Sequence, residues 1–444
     1  MAIQLSEHFS YRKLMRFTLP SIAMMIFSSI YSVVDGFFVS NFAGKAPFTA
    51  VNLIMPILQI LGTVGFMFGT GGTAIVSKTY GEGDKEKANR YFSLFVYIAF
   101  GAGVLLAVLG IIFIEPIAKL LGADGELLTN CVIYATVILC ALPFYVLQVM
   151  FQSFFVAAEK PKLGLFVTVS AGFTNIILDA VLVMLLPQEH KLAGAALATA
   201  FSQAVGGIVP LIYFFRENSS VLRLGKTHYD GSAVLKACTN GSSEFMSNIS
   251  MNLVGILYNK QLLAHAGEDG VAAYGVMMYV SMIFAAAFLG YTIGVAPIIG
   301  FHYGAQNHEE LQGLRKKSLV IISIFGVSMV ALAELLATPV SAMFVGYDAA
   351  LLEMTVSGFR IFALCFAFMG FGIFISGFFT ALGDGLTSAI VAFLRTLVFQ
   401  TAAILILPEL IGVDGIWISV VAAEFMSLIL GTVFLVAKKK KYNY

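Results

Sequence analysis

Residues 95–114 read FVYIAFGAGVLLAVLGIIFI, twenty consecutive residues without a charge. A helix of about 20 apolar residues is long enough to cross the ~30 Å hydrocarbon core of a bilayer. Similar stretches recur along most of the 444 residues, of which 59% are hydrophobic and 11% are charged, with a mean hydropathy of +0.91. These values exclude a mainly soluble protein and predict an all-α membrane protein.

Twelve apolar stretches, separated by charged residues or by Gly and Pro, are predicted to span the membrane. Their approximate limits are 14–40, 47–77, 91–115, 128–158, 163–186, 193–215, 234–264, 271–301, 318–338, 350–381, 386–407 and 415–437. Several exceed the minimum length, so we expect tilting or bending. The candidate bends are four prolines inside the spans: Pro20, Pro56, Pro143 and Pro297.

The basic residues are divided unequally between the two sets of connecting segments. An even number of spans places both termini on one side, and that side holds 20 of the 26 Lys and Arg residues. The opposite loops hold Lys45, Lys119 and Lys191, and the remaining three basic residues fall inside spans: Lys260, Arg360 and Arg395. Because cytoplasmic loops are enriched in Lys and Arg, we predict a multi-pass protein of the cytoplasmic (inner) membrane with both termini in the cytoplasm.

The two halves of the sequence resemble each other at a shift of about 223 residues. Tyr80-Gly81 falls on Tyr303-Gly304, and Phe154 to Ala157 falls on Phe378 to Ala381. Six spans per half give both halves the same orientation, which predicts two six-helix bundles related by a pseudo-two-fold axis along the membrane normal. The predicted parts are an N-terminal lobe (1–217), a cytoplasmic linker (218–233) and a C-terminal lobe (234–444).

Acidic residues inside spans are costly, about 2.5–3.5 kcal/mol near the bilayer centre, and so indicate a partner, a cavity or a function. Asp35, Asp179 and Thr199 are all predicted about 8–12 Å from the outer membrane surface at a rise of 1.5 Å per residue. Asn175 precedes Asp179 by one helical turn and shares its face. These oxygen atoms are suited to binding Na⁺ or a proton. The alternative is that both acids hydrogen-bond to neighbouring backbone in a packed bundle.

Glu244 lies about ten residues into span 7, among the small residues 241–243. At this depth it is suited to attracting a cationic substrate or carrying a coupling proton. The alternative is an ion pair with Arg360 or Arg395, since both arginines need partners in the same half. Glu424 could serve as that partner equally well.

The repeat predicts an asymmetry between the halves. Aligning Pro187 with Pro408 places Asp179 on Gln400, and Asp35 falls near Tyr258 at a similar shift. Because these counterparts do not titrate between pH 5 and 8, we predict that cation coupling resides in the N-terminal lobe alone.

Several short motifs, taken in order along the chain, carry a resemblance to a known family. They are Leu19-Pro20, Ala50 to Pro56, Tyr80-Gly81, Asn175 to Asp179 and Gly194 to Thr199. Over 14–437 the chain resembles the multidrug and toxic compound extrusion (MATE) family, most closely its prokaryotic DinF-like branch. The resemblance implies two bundles in a V around a central cavity that opens alternately inward and outward. It also implies efflux driven by inward H⁺ or Na⁺.

The resemblance further implies a cation-coupling site in the N-terminal lobe at the positions of Asp35, Asn175, Asp179 and Thr199, which all match. It links the bend of span 1 at Pro20 to proton uptake. The chain departs from the vibrio-type branch in span 10, where residues 351–379 hold only Glu353, near the outer end. A sodium site in the C-terminal lobe would therefore depend on Glu244.

These observations predict an antiporter exporting small cationic or amphiphilic compounds in exchange for H⁺ or Na⁺, working as a monomer in the lipid bilayer. The coupling ion is the only expected cofactor. A net charge of +1 gives no footprint for nucleic acid, and the six scattered histidines form no enzyme motif. The alternative function is a flippase for lipid-linked saccharide or peptidoglycan precursors, whose cavity should present several basic residues. A receptor or channel would not need paired acids within a two-fold repeat.

Overall fold

The computed structural model describes residues 3–444, apart from the side chains of Phe37, Ser40, Asn41 and Lys45. Within this part all regular structure is helical. The helices are α1 (Tyr11–Phe38), α2 (Lys45–Gly81), α3 (Lys85–Leu120), α4 (Gly125–Ala157), α5 (Pro161–Leu185), α6 (Lys191–Phe215), α7 (Gly231–Gly304), α8 (His308–Val345), α9 (Ala349–Ala363), α10 (Phe366–Ala381), α11 (Gly385–Phe393), α12 (Gln400–Ile411) and α13 (Val413–Tyr442). Short π-helical segments follow α1 (Val39–Ala43) and α11 (Leu394–Phe399).

The long helix α7 contains two of the predicted spans. Its backbone leaves the helical region at Gly267, where φ is 65° and ψ is −155°. The rings of Tyr258 and Tyr274 stack with their centroids 5.3 Å apart. In a straight helix, residues 16 positions apart would be separated by about 24 Å. The chain therefore folds back at Gly267, a conformation that glycine adopts without steric penalty, and α7 forms spans 7 and 8.

The predicted span 10 (350–381) is a broken helix. The described structure divides it into α9 and α10, which meet at an angle of 45° around Leu364 and Cys365. There the amides bond three residues back, Leu364 to Ile361 and Cys365 to Phe362, instead of four. The residues on either side of the break, 361–368, are all apolar, so hydropathy gives no signal of it. The four prolines predicted as bends lie within helices that continue through them.

Acidic and amide side chains at helix starts set several helix boundaries. In six cases the residue just before the helix accepts a hydrogen bond from a backbone amide at the helix start. These residues are Asp84, Asp124, Asp230, Asn307, Asp348 and Asp384. Asp384 is also bound by Tyr442 Oη at 2.8 Å and Lys438 Nζ at 3.2 Å. Burial alone would raise the pKa of the Asp384 carboxyl, but hydrogen bonds from Tyr442, Thr387 and Lys438 bring it below its ordinary value of 3.8.

The two lobes meet through reciprocal glycine contacts. A Cβ atom on Gly81 would lie 2.0 Å from the carbonyl oxygen of Phe301, and one on Gly304 would lie 2.0 Å from that of Lys78. Exchanging the lobes at the 223-residue shift turns one contact into the other. Such reciprocity is the signature of a two-fold relation. Since α2 and α7 both end at this contact, the axis runs along the helices, which confirms the predicted arrangement.

We call this end of the molecule the basic end, because its connecting segments carry most of the Lys and Arg residues. The lobes also touch here between α1 and the second half of α7, where Gly290 and Gly294 lie against Ile22 and Thr18. Buried residues of α1 up to Met25 belong to the same hydrophobic cluster as the C-terminal lobe. The described conformation is therefore closed at the basic end.

The connection between the lobes runs along the N-terminal lobe. Helix α6 ends at Phe215, and α7 begins at Gly231, three residues before the predicted start of the C-terminal lobe. In between, the amide of Arg223 donates to Asn89 Oδ1 at 2.7 Å, and the amide of Gly225 donates to Ser93 Oγ at 3.0 Å. The predicted linker 218–233 is therefore bound along α3 rather than free.

Candidate functional site

The four predicted coupling residues come together within the N-terminal lobe, from helices α1, α5 and α6. Asn175 Nδ2 donates to Thr199 Oγ1 at 3.5 Å, and Thr199 Oγ1 donates to Asp35 Oδ1 at 3.3 Å. The carboxyl group of Asp35 also faces that of Asp179. The i, i+4 spacing of Asn175 and Asp179 and the matched depth of the other two residues had predicted this convergence.

Asp179 is the most isolated member of this cluster. Its side chain is 0% exposed, and neither carboxylate oxygen receives a hydrogen bond from any described residue. The Asn175 side-chain oxygen, in a residue 1% exposed, is also without a donor. An ionised carboxylate only accepts, so the contact between the two acids becomes a hydrogen bond only when one carries a proton. The oxygen atoms of these four side chains therefore face one another without a positively charged group between them. A proton or a small cation can supply that charge.

The C-terminal lobe contains the counterpart of this pair in neutral form. Tyr258 Oη donates to Gln400 Oε1 at 2.9 Å, joining the positions onto which the repeat places Asp35 and Asp179. Thr396, the counterpart of Asn175, instead bonds to the carbonyl of Ala392 at 2.7 Å. The phenol and the amide satisfy each other, so this site has no unmet need for a cation.

Glu244 lies on the face of α7 that borders the other lobe. At Gly241, one turn before it, a Cβ atom would lie 2.0 Å from the carbonyl oxygen of Met67 in α2. Along the stripe 241, 244, 248, 251, exposure grows from buried to half-buried and reaches 62% at Met251. The lobes therefore separate with distance from the basic end, and Glu244 lies near the floor of the resulting cleft.

Glu424 is the partner of Arg395. Arg395 Nε and Nη2 bond to the two carboxylate oxygens of Glu424 at 2.8 and 2.9 Å. The side chains are 14% and 3% exposed, so this is a buried bidentate pair. The sequence left this pairing open because 29 residues separate the two, and span limits do not reveal which helix faces meet. Among the described residues, Glu244 has no basic group within 4 Å.

The other two intramembrane basic residues lie at exposed positions. Arg360 Nε lies 3.7 Å from Glu334 Oε2, with side chains 56% and 40% exposed. Lys260 is exposed.

Pro20 is buried in the first half of α1, which packs against α7 at the basic end. Its missing N–H frees one backbone carbonyl in the preceding turn, which makes this a weak point of the helix.

Comparison with family models agrees with the internal repeat. The MatE model matches the chain twice, at residues 20–181 and 245–404. Together these segments cover most of the sequence, one in each lobe. The chain belongs to the MatE family. It is thus a multi-pass protein of a family of membrane transporters.

Named relatives and solved structures agree with this assignment. The chain is 26% identical to the multidrug export protein MepA of Staphylococcus aureus (strain MRSA252) over 421 residues, covering 93% of this chain and 91% of the relative. A MATE transporter crystallised in complex with MaL6 is 22% identical, with a TM-score of 0.93 over 99% of this chain and 98% of that one. A multidrug resistance MATE transporter in an outward-facing conformation is 22% identical, with a TM-score of 0.92 over 99% and 97%. The likeness in structure concerns the fold.

Proposed function

We propose that this MatE family member is a multidrug exporter of the cytoplasmic membrane, an antiporter that moves small organic compounds outward in exchange for H⁺ or Na⁺ by alternating access. The named relatives are multidrug export proteins, which supports export as the activity. With the basic end in the cytoplasm, the cleft faces outward in the described conformation. The function then requires a second conformation in which the basic end is open.

The observation that carries the proposal is the unpartnered Asp179 carboxylate beside Asp35. Two adjacent carboxylates, of which Asp179 is fully buried and Asp35 half-buried, resist being ionised together, so they take up a cation when closed to water. When the site is hydrated, both acids can ionise and the cation leaves. A cation that binds the two conformations with different affinity shifts the balance between them, which is the requirement for coupling.

The substrate class follows from the cleft. Glu244 brings a carboxylate without a basic partner near the cleft floor, which favours cationic compounds over anionic ones. Of the three intramembrane basic residues, Arg360 and Arg395 lie in ion pairs with Glu334 and Glu424. A flippase for pyrophosphate-linked precursors needs several free basic groups there, so this arrangement favours drug export over the flippase alternative.

The test is transport of ethidium into inverted membrane vesicles under an imposed pH or Na⁺ gradient. We expect Asp35→Asn and Asp179→Asn each to abolish gradient-driven uptake, because an amide beside the remaining carboxylate removes the second negative charge on which binding of the coupling cation depends. The gradient that supports uptake by the wild-type chain identifies the coupling ion.

The matched control is Gln400→Ala, which alters the neutral counterpart site in the other lobe. We expect its uptake to keep the wild-type dependence on the ion gradient, even if the rate changes. If both Asp variants transport with an unchanged gradient dependence, the coupling site lies elsewhere and the proposal is wrong.

A further inference from the structure

Residues 3–10, which precede α1, are bound to both lobes at the basic end, and we call them the strap. Leu5 and Phe9 of the strap are 0% exposed. They belong to one hydrophobic cluster with Val156 at the end of α4 and with Ile298 and Leu311 of the C-terminal lobe. A polar segment at a chain end is ordinarily poorly ordered unless it is tied down. The strap is tied down on two sides.

The contact with the N-terminal lobe is made by Glu159, in the connection between α4 and α5. Its carboxylate Oε1 accepts a hydrogen bond from the amide of Leu5 at 2.7 Å. Glu159 has a φ of 61°, a left-handed conformation that disfavours side chains. The repeat places Gly383 at the equivalent position, with a φ of 80°. The N-terminal lobe thus has a glutamate in a strained backbone conformation where the other lobe has a glycine. The side chain of this glutamate binds the strap.

The contact with the C-terminal lobe is made by Glu310 in the first turn of α8. Glu310 is 6% exposed, and its carboxylate oxygens bind the amide of Phe9 at 2.9 Å and His8 Nδ1 at 2.6 Å. Lys317 Nζ, two turns further along α8, donates to the carbonyl of Phe9 at 2.5 Å. Two charged side chains of the C-terminal lobe therefore hold two consecutive strap residues.

We propose that the strap is a latch that keeps the basic end closed, and that its bonds to Glu310 and Lys317 must break before the lobes can part there. The strap continues directly into α1 of the N-terminal lobe and crosses to α8 of the other. It lies at the same end as the Gly81 and Gly304 contacts, which opening must also separate. Glu159 acts by holding the strap where Glu310 can bind it. This inference rests on the proposed alternation between two conformations.

The test measures opening at the basic end directly. Spin labels at Glu86 and Gln312, exposed residues at the starts of α3 and α8, report the distance between the lobes in reconstituted full-length protein lacking native cysteines. A hydrogen bond to a charged group changes an equilibrium constant on the order of tenfold. We therefore expect Glu310→Gln to raise the ratio of open to closed distances on the order of tenfold.

Two matched controls separate the latch from local effects. Glu309→Gln makes the same change at the neighbouring, exposed position and should leave the ratio unchanged. Glu159→Gly relieves backbone strain yet removes the carboxylate, so it should still raise the ratio. Gln306→Gly relieves the same kind of strain, at a φ of 55°, without touching the strap and should not.

The double variant of Glu159 and Glu310 gives the decisive result. Because Glu159 acts by holding the strap against Glu310 and Lys317, Glu159→Gly should add less in the presence of Glu310→Gln than it does alone. A full additional effect, or equal ratios for Glu310→Gln and Glu309→Gln, would overturn the latch. If the wild-type chain shows a single distance under every ion gradient and substrate, alternating access itself is wrong, and the latch with it.

Discussion

The buried pair of Arg395 and Glu424 allows a quantitative prediction about the stability of the C-terminal lobe. Removing one member of a buried ion pair costs about 3–5 kcal/mol, because the other is left charged without a partner. In Glu424→Gln the amide oxygen can keep one of the two bonds from the guanidinium. We therefore expect a loss of about 3 kcal/mol, the low end of that range.

The protein contains its own reporter for this measurement. Trp417 is the only tryptophan in the sequence, is 1% exposed, and lies two turns from Glu424 on α13. Its fluorescence during thermal unfolding in detergent micelles follows the lobe that contains the pair. The Glu424→Gln curve should shift to lower temperature by several degrees, since unfolding midpoints move by about 2–4 °C per kcal/mol in proteins of 150–250 residues and less in larger ones.

Two comparisons decide whether burial of charge is the cause. Glu334→Gln breaks the pair with Arg360, which is a single 3.7 Å contact between side chains 56% and 40% exposed, so it should shift the curve less than Glu424→Gln. Replacing Arg395 and Glu424 together by leucine removes both charges and should recover most of the loss. If Glu424→Gln unfolds like Glu334→Gln, or if the double variant is no more stable than the single one, the reasoning is refuted.

Three further outcomes follow from the described contacts. Glu244→Gln should weaken resistance of cells to cationic drugs more than to neutral ones, and equal losses for both classes would contradict a role in attracting cations. Gly81→Ala would place a methyl group about 2.0 Å from a backbone carbonyl of the other lobe, so cross-linking across the closed basic end should slow. Gly101→Ala, where no atom lies within 4 Å, should cross-link at the wild-type rate. The lowered pKa of Asp384 means that this carboxylate stabilises the fold fully above the ordinary value of 3.8 and loses that contribution as pH falls through its folded value. Between pH 5 and 3 the wild-type chain should therefore lose more stability in chemical unfolding than Asp384→Asn, and parallel losses would exclude this contribution.

The sequence was sufficient to predict features whose energetic cost does not depend on how the helices pack. An apolar stretch of 20 residues has few stable positions other than across a bilayer, so the spans and their repeat could be predicted. Asp35 and Asp179 could be identified for the same reason, since a carboxylate inside a span needs an explanation in any packing arrangement. Their convergence followed from depth and helical spacing.

The features that escaped prediction depend on which helix faces meet. Arg395 had two acidic candidates in its half, Glu244 and Glu424, and only the packing of α13 selects Glu424. The break at Leu364 and Cys365 arises from local backbone bonding within an apolar run, 361–368, that gives no signal of it. The strap could not be predicted from the sequence, because its partners Glu159 and Glu310 are distant along the chain.

The hydrogen bond between Tyr258 and Gln400 has an electrical consequence. In the proposed antiport, with the second lobe neutral at this position, a transport cycle exchanges one monovalent cation at the first. Exporting a singly charged cationic drug for one H⁺ or Na⁺ then moves no net charge, so the membrane voltage contributes nothing. Exporting a neutral compound moves one positive charge inward, and the membrane voltage then contributes about 2.3 kcal/mol per 100 mV. This energy corresponds to roughly a 50-fold increase in the concentration gradient of the compound that the transporter can sustain. The same protein would be insensitive to voltage for one drug and driven by it for another.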